Sequence, residues 1–82
     1  MEFGQILDQI RQRFLEEELY ELIVKLDEAP RGAATGTEGM ALIGGFLLRL
    51  KETDTNAFNK IKDLVDEYVK LCAKYGLTLR LQ

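Results

Sequence analysis

Apolar residues recur at helical spacing along most of this chain, and they change phase once. Phe3, Ile6, Leu7, Ile10 and Phe14 make a first stripe at intervals of three and four. Leu15, Leu19, Leu22, Ile23 and Leu26 make a second. At about 100° per residue the two stripes point roughly 150° apart on one continuous helix. The surrounding Glu, Gln, Arg and Lys are strong helix formers, so Glu2–Glu28 is expected to be helical. No glycine or proline stands between Gln5 and Ala29, which favours one long N-terminal helix whose two halves face different partners. The alternative is a break near Gln12–Phe14, giving four helices in place of three. Pro30 closes the segment, because the residue before a proline is pushed from the α region.

The linker Ala29–Thr37 is rich in turn residues. Within it, Thr35-x-x-Glu38 has the form of a capping box, so a second helix is expected from there to Lys51 or Glu52. Its apolar residues, Met40, Leu42, Ile43, Phe46, Leu47, Leu48 and Leu50, surround nearly the whole circumference, which implies burial on several sides. Gly39, Ala41, Gly44 and Gly45 lie within it. A glycine inside a helix costs up to about 1 kcal/mol relative to alanine. That cost suggests close approach of another backbone, or room for a bulky side chain, within the protomer or across a symmetric dimer.

The short connection Glu52–Asn56 offers several N-caps. The third helix, about Asn56 to Tyr75, is the cleanest element. Ala57, Phe58, Ile61, Leu64, Val65, Tyr68, Val69, Leu71, Cys72 and Tyr75 share an arc of roughly 160°, and charged residues fill the rest. Gly76 is placed as a C-terminal cap, with Leu77 packing back on the last turn. In the tail, Leu77, Leu79 and Leu81 alternate with polar residues, a strand-like pattern. The expected fold is therefore all-α: a single domain over residues 1–82, a small three-helix bundle (four if the first helix breaks) with a strand-like tail.

Composition narrows the chemistry. A chain of 82 residues buries only about 60–65% of its unfolded surface, so its core is limited. The net charge is −3, and the basic residues are scattered, which argues against a nucleic-acid face. The apolar run Gly39–Leu48 is too short for a bilayer, which needs about 20 residues. One cysteine, Cys72, allows no intramolecular disulfide, and the N-terminus lacks the pattern of a secretory signal; a cytoplasmic setting is expected.

The chain has no histidine, which removes the commonest general base and nearly all histidine-bearing metal sites. Cys72 lies in the apolar arc of the third helix, where a thiol behaves as a small hydrophobe. The glycine-rich linker matches neither a P-loop nor a dinucleotide fingerprint. Hence no catalytic residue, metal or cofactor is expected.

The expected function is a non-catalytic protein–protein interaction module, a homodimer that buries the surplus apolar surface. The alternative is a small regulator or inhibitor docking on a different protein through its C-terminal tail or an exposed helix face. The expected interface residues are Phe3, Ile6, Leu7, Ile10, Phe14, Gly44, Gly45, Leu48, Leu77, Leu79 and Leu81.

Overall fold

A computed structural model describes residues 2–77 and shows four helices: α1 (Phe3–Glu16), α2 (Tyr20–Glu28), α3 (Gly36–Thr53) and α4 (Thr55–Lys74). No strand occurs among the described residues, and no helix is long and apolar enough to cross a membrane. The strand-like pattern at Leu79 and Leu81 lies outside the described residues; Leu77 itself is not in a strand.

The single long N-terminal helix expected from the pattern does not form; two helices, α1 and α2, stand in its place. The chain leaves the helix after Glu16, downstream of the Gln12–Phe14 region considered as the alternative break. The exit is a Schellman turn. The Leu19 N–H donates to the Phe14 carbonyl (2.8 Å) and the Glu18 N–H to the Leu15 carbonyl (3.1 Å). Glu18 takes the left-handed conformation that this turn requires, at φ 57°.

Packing explains why a glutamate accepts that conformation. A continuous helix would hold the second stripe roughly 150° from the first. The reversal swings α2 back along α1, so Leu22 and Leu26 enter the same core as Ile6, Ile10 and Phe14. Burying a large aliphatic side chain is worth about 1.5–3 kcal/mol, and left-handed backbone costs an L-residue about 1–2 kcal/mol. Two buried leucines outweigh one strained glutamate.

The other boundaries follow local chemistry. Thr35 caps α3 by accepting the Glu38 N–H on Oγ1 (3.1 Å), and the Glu38 carboxylate reaches back one residue further, to the Ala34 N–H (3.0 Å). The connection between α3 and α4 shrinks to Asp54 alone. Its N–H closes α3 on the Leu50 carbonyl (2.9 Å), and its carboxylate accepts the Ala57 N–H to start α4 (3.1 Å). The α4 helix ends as the sequence suggests: Gly76 stands at φ 78°, and the Leu77 N–H folds back on the Cys72 carbonyl (2.9 Å).

The core is built around α4. Phe58, Ile61, Leu64, Val65, Tyr68 and Cys72 are buried, with α1 on one side and α3 on the other. The Tyr68 hydroxyl donates to the Met40 carbonyl of α3 (2.6 Å), and the Phe3 ring lies 4.9 Å from the Tyr68 ring, centroid to centroid. Burial pushes the Tyr68 hydroxyl far up from its ordinary value. At the surface, the Arg13 guanidinium grips the Asp63 carboxylate and donates to the Lys60 carbonyl, tying α1 to α4. Arg11 bridges α1 to Asp27 of α2.

Candidate functional site

The helices do not cover one another evenly. The α2 helix packs on α1, whereas α3 packs on α4. Because each leans on a different neighbour, an open groove of about 880 Å³ runs between α2 and α3. Leu19, Leu22 and Ala29 form its α2 wall, and Leu42, Phe46 and Leu50 its α3 wall. Leu22 and Leu50 are buried at its base, Phe46 is half-buried, and Leu42 is 40% exposed. Tyr20 also lines the groove at 57% exposure, and Val24, one turn along α2 and outside the lining, is 54% exposed. They stand four residues apart and so lie on one side of the helix.

Charge rims this apolar surface. Glu21, Lys25 and Glu28 line the α2 edge, and Arg49 the α3 edge. Among the described residues, these four enter no ion pair. Elsewhere on the molecule long charged side chains do find partners across helices, as in Arg11–Asp27, Arg13–Asp63 and Lys60–Glu17. The groove also receives Glu18 at its turn and Asp54, the latter already used as the α4 cap.

Cys72 is the free cysteine and is fully enclosed; burial pushes its thiol up from its ordinary value, which disfavours the thiolate. No cluster of three or more Asp, Glu, Cys or His side chains is placed to hold a metal ion among the described residues. No buried side-chain polar atom lacks a hydrogen-bond partner among them either.

No protein-family model, curated protein or solved structure matches the chain. The groove therefore has to be read from its own chemistry.

The residues expected at an interface are mostly spent inside the protomer. Ile6, Ile10 and Phe14 are enclosed by its own helices and offer nothing to a partner. Phe3, Leu7 and Leu48 are half-buried against the same core. Leu77 is half-buried on the last turn of α4, while Leu79 and Leu81 lie outside the described residues. Gly44 is buried in the protomer. Within the protomer, a Cβ at Gly45 would meet only the Arg49 guanidinium, at 3.5 Å.

Sequence reasoning passed over Tyr20, Val24 and the charged edge beside them. The available signal was small. Tyr20 and Val24 form an apolar pair at i, i+4 outside both stripes, on a side otherwise filled by Glu17, Glu21 and Glu28.

Proposed function

We propose that this chain is a non-catalytic protein–protein interaction module that works as a homodimer, and that its contact surface is the α2–α3 face. The observation that carries this reading is the continuity of exposed Tyr20 and Leu42 with the apolar floor of the groove, with Val24 exposed one turn along α2 from Tyr20. Single exposed apolar residues are ordinary on a protein surface; a contiguous patch with a polar rim marks an interaction site. The rest of the described surface has only two other large exposed apolar residues, Leu15 and Tyr75.

This places the contact elsewhere than the first stripe of α1, whose apolar side chains the protomer already buries. A homodimer remains the economical reading for a small chain, since a two-fold contact lets one patch cover itself. Backbone amide spectra recorded along a dilution series test the location. Concentration-dependent shifts should fall on residues 19–28 and on the Leu42, Phe46 and Arg49 side of α3. Shifts confined to the polar side of α4, around Lys62 and Asp66, or no shifts at all, would overturn the reading.

A further inference from the structure

The α1 helix is an N-terminal arm, joined to the rest of the protein by three residues, Glu17–Leu19. It packs on α2 and α4. Its Ile6, Ile10 and Phe14 are enclosed in the core, and its Phe3 ring meets Tyr68. Arg13 grips Asp63 and the Lys60 carbonyl, and Arg11 bridges to Asp27. The arm therefore has a fitted seat.

The connection to that arm is short and strained. Glu18 holds the left-handed conformation to turn the chain back. Glu17–Leu19 contains no glycine, proline, asparagine or aspartate, the residues that favour turns. Short hinges under strain invite exchange of an element between copies. Opened to extended backbone, three residues reach about 10 Å, close to the spacing of two packed helices. The arm then passes to a neighbouring copy and meets the same seat, contact for contact. The fit of α1 within the protomer fixes the occupant: the molecule that carries this seat is a second copy of the chain.

Charge works against the exchange. Glu16, Glu17 and Glu18 are exposed, and two crossing hinges bring these carboxylates of both copies together. Like charges in juxtaposition are penalised, and salt screens exposed charges.

We infer that two copies exchange their α1 helices by opening at Glu17–Leu19. Strain at Glu18 favours the opened hinge, and the acidic run restrains it until salt screens the charge. This route to a dimer goes beyond the α2–α3 contact and does not rest on it.

The exchange is tested on the full chain at about millimolar concentration in about 1 M salt, where the screening length is about 3 Å. The chain is held near its unfolding midpoint, then cooled and diluted. Gel filtration should show a dimer that outlasts dilution for hours, because release requires Ile6, Ile10 and Phe14 to leave the core. The double variant Arg11→Cys, Asp27→Cys sets two thiols across the α1–α2 contact. A short bismaleimide should bridge two chains in the exchanged dimer and close within one chain in the protomer, while Cys72 stays enclosed. Glu18→Gly should exchange about tenfold less or lower still, since each dimer carries two hinges and glycine removes the left-handed cost at both. Glu18→Ala, equally uncharged but still strained, should exchange at least as readily as the parent.

The failures are distinct. A dimer that dissociates promptly on dilution, or one whose cysteines close only within chains, overturns the exchange and leaves the α2–α3 contact to its own test. Glu18→Gly exchanging as readily as the parent overturns the role of strain. A long-lived dimer bridged between chains, from a chain whose amide shifts do not move with concentration, upholds the exchange and overturns the α2–α3 reading.

Discussion

The α4 and α2 helices make opposite use of their apolar residues. In α4 the apolar arc is a single block, and α1 and α3 cover it from two sides. Nearly every large side chain on that arc is spent on the protomer's own core. In α2, Leu22 and Leu26 point inward while Tyr20 and Val24 point to solvent, and the helix packs on one neighbour, α1. A helix flanked on two sides holds a fold together. A helix flanked on one side leaves an apolar edge and unpaired charges, the raw material of a contact with another molecule.

The contrast is broken or sharpened by substitution, and the largest effect should come from the core. Phe14→Ala removes a fully enclosed ring where α1 meets the rest of the core and should cost about 3–5 kcal/mol. In a domain of this size that lowers the melting temperature by roughly 15 °C or more. Val24→Ala should change the stability of the isolated protomer by about 0.5 kcal/mol or less. Thermal unfolding of both, at a concentration low enough to keep the chain monomeric, makes the comparison; equal losses would erase the distinction between the two regions.

Tyr68→Phe should cost about 1–2 kcal/mol, because the Met40 carbonyl loses its hydroxyl partner in a partly buried setting. Urea unfolding measures it, and an unchanged midpoint would mean that the α3–α4 contact does not depend on that hydrogen bond.

The two Schellman turns give a paired test. Glu18 and Gly76 occupy the same left-handed position at the ends of α1 and α4. Glu18→Gly should stabilise the protomer by about 1 kcal/mol, and Gly76→Ala should destabilise it by about as much. Changes of the same sign in both variants would contradict the assignment of strain to Glu18.

These turns also show why part of the fold was legible in the sequence and part was not. The α4 helix and its Gly76 stop could be read because pattern, caps and composition agree there. The phase jump between the stripes of α1 and α2 was equally visible. Its resolution was not, because nothing local announces a reversal at Glu17–Leu19: Glu18 is a good helix former, and its left-handed turn is offset by burial of Leu22 and Leu26, a tertiary gain. The groove was hidden for the same reason. The all-round apolar pattern of α3 predicted surplus surface, yet which residues carry the surplus depends on where the reversal places α2. Once α2 folds back, Ile6, Ile10 and Phe14 pass into the core and Leu42 is left outside.

A small effect on stability should be the acid dependence of the α1–α4 tie. The hydrogen bond from Arg13 lowers the pKa of Asp63 below its ordinary value. A carboxylate lowered in the folded state adds stability above its unfolded pKa, and that contribution fades as pH falls through the lower folded value. The pair is solvent-exposed, so its worth is about 1 kcal/mol or less. Asp63→Asn should therefore lower stability slightly at pH 7, and the deficit should shrink in acid as pH falls through the lowered folded value. Parallel chemical unfolding at neutral and acid pH checks this, and a deficit that persists undiminished in acid would show that the ion pair is not its cause.

Sedimentation equilibrium of the parent chain beside Leu42→Glu tests the central claim most directly. The parent chain should approach twice its 9.4 kDa mass at tens of micromolar, and Leu42→Glu, with a charge set in the α3 wall of the groove, should sediment as a folded monomer. A parent chain that stays at 9.4 kDa, or a variant that associates as tightly as the parent, would contradict the account.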